Sequence, residues 1–251
     1  NPQFDVIGPV TISNNMSYYG ENDSYGSDMY PDKMVSEACK LADTEFDVDF
    51  TLYDNNNDSK VDFVFVVYAG YGEADGGGDN TIWPHAWNLY SAAGQRCEVD
   101  GKIIDLYACG NEMDNYTKHH TGIGTFCHEF GHVLGLPDLY DTEYKYYTVS
   151  NWSIMCSGNY NNNGRTPPTY SAYERFFLGW LQPEQLTEKG QYALEPLQES
   201  NQAYLIAEKT HNLNGDNPNP NEFFLLEYRT KTGWDTYLPG SGMLVWHIDY
   251  L

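Results

Sequence analysis

Positive charge is what this chain has least of: 13 Lys plus Arg stand against 36 Asp plus Glu, a formal net charge of −23. So acidic a surface repels nucleic acid and anionic membranes, which need basic patches. It attracts hard cations such as calcium. Long apolar runs are missing too, and none approaches the roughly 20 residues that span a bilayer. Cysteine is scarce and odd in number; five leave at least one thiol unpaired within the chain. Cys97 and Cys109 could pair, and Cys127 reads as a small buried hydrophobe rather than a nucleophile. No signal peptide or initiator Met is visible. The abrupt opening Asn1-Pro2-Gln3-Phe4 is consistent with a trimmed or mature fragment. What the chain does have is 41 % hydrophobic and 16 % aromatic residues, including 22 Tyr, which argues against disorder.

At 251 residues a real core can form, either as one large domain or as a domain with a smaller appendage. Phe4 to Ile12 reads as a strand broken by Gly8-Pro9, followed by a polar loop from Ser13 to Tyr30. Pro31 suits a helix's first turn, and Met34, Val35, Ala38 and Leu41 carry the stripe to about Ala42. Phe46 to Tyr53 reads as a strand. Asp54, Asn56, Asp58 and Asp62 place oxygen side chains at alternate positions, as in loops that wrap calcium, without the glycine and terminal Glu of an EF-hand. Val61 to Tyr68 is almost continuously apolar and β-branched, as expected of a strand buried on both faces. Gly70 to Asn80 is a Gly- and acid-rich loop, and His85 reads as a hydrogen-bonded structural histidine. Arg96 to Tyr107 reads as a hairpin turning at Asp100-Gly101. Its second strand, ending near Cys109-Gly110, is the candidate edge to which an extended peptide could add.

The chemistry concentrates in His128-Glu129-Phe130-Gly131-His132-Val133-Leu134-Gly135-Leu136-Pro137-Asp138. Histidines four apart share one helix face, so their imidazoles can converge on one metal. Ile123, Phe126, Cys127, Phe130, Val133 and Leu134 form an apolar stripe expected to bury the helix's back. Gly135 stops the helix, Pro137 prevents resumption, and Asp138 can swing back as a third ligand. Asp141 is the nearest rival for that role. Two imidazoles, one carboxylate and an open fourth position make the ligand set of a catalytic zinc site. Glu129, beside that open position, can take a proton from water and deliver it to a leaving amine.

This pattern resembles the metzincin zinc endopeptidases, HExxHxxGxx followed by His or Asp. Trp152-Ser153-Ile154-Met155-Cys156 is similar to their Met-turn, which implies that Met155 lies beneath the metal. A closer resemblance is to the immune inhibitor A family of secreted bacterial metalloproteases. It is carried by Gly122 through Asp141, by Val61 through Gly70, and by Gly233-Trp234 through Tyr237-Leu238-Pro239-Gly240 to Trp246-His247-Ile248-Asp249. Asp138 stands where most metzincins have His, and some relatives carry Glu at the position of Leu139. No Tyr follows two residues after Met155, and Tyr160 is the nearest substitute for that donor.

The resemblance implies a secreted or cell-surface bacterial zinc endopeptidase, often calcium-stabilised, made with an inhibitory pro-segment. The expected fold is α+β: a metzincin-like catalytic domain over 1–180, with a twisted mixed sheet, the active-site helix and a last helix from Tyr170 to Leu178. A smaller β-rich region follows over 181–251, with strands near Gln191, Ala203, Phe223 and Met243 and a natural end beyond Leu251. His247 and Asp249 read as alternating strand residues. Two rivals are a non-catalytic calcium-bound adhesion or glycan-binding module, which predicts no stoichiometric zinc, and a zinc amidase acting on a non-protein substrate. Casein digestion that stops with a zinc chelator separates all three.

Overall fold

A computed structural model describes residues 3–94, 96–143 and 145–250, with Ala93 described in backbone only. Asn1, Pro2 and Leu251, which bear on the expected start and end, lie outside the described residues. Chain contacts divide the molecule into two units, 1–121 and 122–251. Among the described residues the architecture is mixed α and β, with three small sheets.

In the first unit the expected strand over Phe4–Ile12 does not form. Pro9 offers no N–H to a ladder, Gly8 sits at φ +120, and Val6 is exposed. The loop after it contains a short helix, α1 (Met16–Tyr19). Helix α2 (Pro31–Phe46) starts at Pro31 as expected and runs a turn past Ala42. It ends at Asp47 in the left-handed region, φ 54. Phe46–Tyr53 is not a strand. Asp49 accepts the amide of Thr51 and starts a 3-10 turn over Phe50–Tyr53, a local bond that competes with sheet pairing.

Strand β1 (Val64–Tyr71) is followed by β2 (His85–Asn88), α3 (Leu89–Ala93), β3 (Cys97–Val99), β4 (Lys102–Ile104) and β5 (Leu106–Met113). The hairpin of β3 and β4 turns at Asp100-Gly101, both at positive φ (52 and 71). The larger sheet has the order β1-β5-β2, parallel between β1 and β5 and antiparallel between β2 and β5. This corrects two expectations. β1 is an edge strand with Val67 64 % exposed, so it is not buried on both faces. β5 is the central strand: the hairpin stops at Ile104, and Cys109 pairs with Val66 on one side and His85 on the other. Over Tyr107–Cys109 it is paired on both sides, so that stretch cannot accept an added peptide strand. His85 bridges the Trp83 carbonyl and the Tyr107 hydroxyl, a structural histidine as read. All five cysteines are free thiols, Cys97 and Cys109 among them. The core of this unit gathers Met34 and Val35 of α2 with Ile82, Leu89, Ile104 and Tyr107.

The second unit opens with α4 (Ile123–Val133), and Gly135 at φ +99 follows its C-cap. After a long connection with 3-10 turns at Ser150–Trp152 and Ser157–Tyr160 comes α5 (Ala172–Phe177). It starts two residues later than expected because Ser171 serves as N-cap, closing a capping box with Glu174. Then come β6 (Glu184–Gln185), α6 (Leu197–Ser200), β7 (Tyr204–Ala207), β8 (Glu222–Arg229) and β9 (Gly242–Asp249), in a sheet ordered β6-β7-β8-β9. Three of the four expected strands are there, while Gln191–Leu194 stays irregular. Ala172, Tyr173 and Phe176 of α5 share one core with Leu181, Leu205, Phe223 and Leu225. The packing therefore does not divide near residue 180. α5 and the sheet bury each other's apolar faces. No helix of the described residues is long and apolar enough to cross a membrane.

Candidate metal centre

The site is built on α4. The face expected to be buried is not the tight one: Ile123 is 46 % exposed, and the buried positions are Gly124, His128, Glu129 and Gly131. Two glycines let this face approach its neighbours. A Cβ at Gly124 would lie 1.8 Å from the Asn159 carbonyl oxygen, and one at Gly131 would lie 2.4 Å from Met155 Sδ. Glycine costs a helix interior about 1 kcal/mol relative to Ala. Here it makes room for the Met155 side chain, which is fully buried.

His128 and His132 stand one turn apart, their ring centroids separated by 4.8 Å. Each ring is oriented from behind. His128 Nδ1 donates to the Ile154 carbonyl at 2.8 Å, and His132 Nδ1 donates to the Leu136 carbonyl at 2.9 Å. A carbonyl only accepts, so these bonds place the ring proton on Nδ1 and turn the Nε2 lone pairs forward. The chain bends at Gly135, and Asp138 returns to meet them, with Oδ1 3.3 Å from His128 Nε2 and 3.2 Å from His132 Nε2. The amide of Leu139 donates to the Met155 carbonyl at 2.7 Å, holding the returning segment in place.

Whether these groups suit a metal is decided by one atom. Asp138 Oδ1 is buried and receives no hydrogen bond, although it faces two ring nitrogens. Three lone-pair donors within 4.8 Å of one another repel unless a cation sits among them. They fit a metal such as zinc, and theirs is the one such cluster of His, Cys, Asp or Glu among the described residues. Without the ion, burial raises the Asp138 pKa, but the two imidazoles overcome it and hold the carboxyl well below the usual range. Burial lowers that of His132, and Asp138, the Leu136 carbonyl and Glu129 outweigh it and raise it. Glu129 is buried at 5 % exposure, and its charge reaches His132.

The other expected site residues are placed as follows. The Asp141 carboxylate accepts the amides of Glu143, Lys145 and Tyr146, a local turn rather than a part of the cluster. Tyr160 closes a 3-10 turn and is half exposed. In the acidic loop Asp54 takes Lys102 Nζ at 2.6 Å, with the amides of Asp58 and Ser59. Asp58 accepts from Lys60 N, Asn56 from Asp58 N, and Asp62 from Asn55. Residue-pattern reading missed Gly124, Gly131 and Tyr140, whose ring stacks on His128 at 6.4 Å. The two glycines were visible as unusual residues inside a helical stripe; Tyr140 carried no local signal.

The model of the immune inhibitor A peptidase M6 catalytic domain matches residues 3–181. The chain belongs to this family. The matched range ends inside the second unit. Two relatives illustrate the similarity. The pre-pro-metalloprotease PrtV of Vibrio cholerae serotype O1 is 32 % identical over 214 residues, 72 % of this chain and 23 % of the relative. Immune inhibitor A of Bacillus thuringiensis subsp. alesti is 29 % identical over 196 residues, 67 % of this chain and 28 % of the relative. The chain thus spans about a quarter of the length of the relatives it matches.

Proposed function

We propose that this chain is the catalytic part of a secreted bacterial zinc endopeptidase of the immune inhibitor A family, with a metzincin-like site. The observation that carries the reading is the buried, donorless Asp138 Oδ1 facing two imidazoles whose Nδ1 protons are already committed. His128, His132 and Asp138 hold the metal, and Met155 floors the site. Zinc bound there supplies Lewis acidity, lowering the pKa of a water from about 15.7 towards 7 and polarising a peptide carbonyl. Glu129 accepts the proton of the attacking water and hands it to the departing amine. Its burial keeps this transfer away from bulk solvent. Protein or peptide substrates follow from family membership. Export with an inhibitory pro-segment is supported by the relative named as a pre-pro-metalloprotease. The proposal includes calcium at Asp54, Asn56, Asp58 and Asp62, where it would compete with Lys102 for the Asp54 carboxylate.

The test is casein hydrolysis by purified protein before and after zinc chelation, alongside Glu129→Ala. Loss of hydrolysis in both, with zinc retained in the variant, is expected. Full activity in Glu129→Ala refutes the role assigned to that residue. A protein without stoichiometric zinc returns the reading to a non-catalytic module.

A further inference from the structure

The second unit buries more charge than its core needs. Arg229, Glu227, Asp235 and Glu174 are all fully buried. Arg229, at the end of β8, grips Asp235 through two nitrogens, Nε at 3.0 Å and Nη2 at 2.7 Å, and reaches Glu227 at 3.4 Å. All three hold the segment that leads into α5. Arg229 Nη2 donates to the Thr169 carbonyl at 3.1 Å, Asp235 accepts the Thr169 amide at 2.9 Å, and Glu227 accepts the Ala172 amide at 2.6 Å. That segment sets the N-cap of α5, and with it Glu174.

Glu174 has two oxygens and uses them differently. Oε2 closes the capping box on the Ser171 amide. Oε1 is not needed by the cap and instead accepts the Ser153 hydroxyl at 2.6 Å and the Met155 amide at 3.4 Å. Ser153 Oγ in turn accepts the Met155 amide at 3.0 Å. The turn held in this way presents the Ile154 carbonyl to His128 and the Met155 carbonyl to Leu139, next to Asp138.

We infer that Glu174 is a positioning residue of the metal centre, and that Arg229, in the sheet beyond residue 181, fixes Glu174 in place. The inference rests on the zinc reading above. It makes the C-terminal sheet part of the apparatus that shapes the ligand set, although the matched family domain ends before it. A capping role alone requires neither the Ser153 contact nor the Met155 contact.

Removing Arg229 would strand two buried carboxylates and endanger folding, so the test uses Ser153→Ala and Glu174→Gln in the whole chain. Zinc affinity is read by competition with a chromophoric chelator, and ligand geometry by the visible absorption of the cobalt-substituted protein. Both variants should keep wild-type far-ultraviolet circular dichroism, bind zinc about 10–100-fold more weakly, and show a shifted cobalt band. The fall in activity should lie in kcat rather than KM. Leu225→Ala serves as the control; it cuts the core of the same unit and should lower Tm without moving the cobalt band. The inference is overturned if both variants keep wild-type affinity and band, if their losses match those of Leu225→Ala, or if neither folds, since a purely structural role then suffices. A wild-type protein that binds no zinc sinks the protease reading and this inference together. Wild-type zinc binding with unaltered variants sinks this inference alone.

Discussion

The two units treat buried polarity differently. In residues 122–251, Ser153, Ser171, Glu174, Glu227, Arg229 and Asp235 have 0 % exposure beside His128, Glu129, Asn159, Asn161 and His211 at 4–7 %, whereas the buried charged and amide side chains of residues 1–121, Asp32, Asp54, Asp75 and Asn111, all keep 4–8 %. The first unit is organised by apolar packing around α2, which tolerates changes of shape if volume is kept. The second joins an apolar core to a polar network of Glu174, Glu227, Arg229 and Asp235, in which each carboxylate oxygen and guanidinium nitrogen has a directional partner. Directionality is what a metal centre needs, since apolar contact sets distance but not the aim of a lone pair.

The largest effect that would sharpen this contrast is chemical. Glu129→Ala should lower kcat/KM for peptide hydrolysis by about 10²–10⁴ while zinc analysis of the variant stays stoichiometric. Next come the two glycines of α4, compared by denaturant unfolding. Gly131→Ala meets the flexible end of Met155 and should cost about 1–3 kcal/mol. Gly124→Ala meets the rigid Asn159 backbone and should fall at or above the top of that range. If the two cost the same, tight backbone approach is not what shapes the helix's inner face.

Chelation should then separate the units. With zinc initially at a hundred times its Kd, its removal should cost the second unit about 2.7 kcal/mol and leave the unfolding of the first unmoved. Proton linkage gives the smallest effect. Burial, helped by Glu73 and opposed by the Trp83 amide, pushes the Asp28 carboxyl up to about 6. The folded chain then holds that proton more tightly than the unfolded chain does, so the first unit loses stability as pH rises from about 4 to about 6. Asp28→Asn should flatten that dependence and gain ~1 kcal/mol above it, read from thermal unfolding at pH 4 and pH 7.

What the sequence revealed of this molecule was mostly local. His128, His132, the stop at Gly135 and the return of Asp138 depend on helical periodicity and one left-handed residue, so spacing alone brought them together. The start of α2 at Pro31 and the Asp100-Gly101 turn were legible for the same reason. Failures came where tertiary pairing decides. Val64–Tyr71 is apolar enough for a central strand, yet it lies at an edge, because the centre went to β5 with its Asn111 and Glu112. Arg229 and Glu174 are 55 residues apart and have no periodic relation, so nothing in the chain announces that they share a network. The Ser171 and Glu174 spacing does signal a cap, but not the second oxygen's partner.

The most direct test of the metal centre is X-ray absorption at the zinc edge on the purified chain, with anomalous diffraction to place the ion. The account predicts one zinc per chain, with two nitrogens and one carboxylate oxygen at about 2.0–2.2 Å from His128, His132 and Asp138 and a fourth position open to solvent. A shell containing cysteine sulfur, or an ion located away from these three side chains, would contradict it.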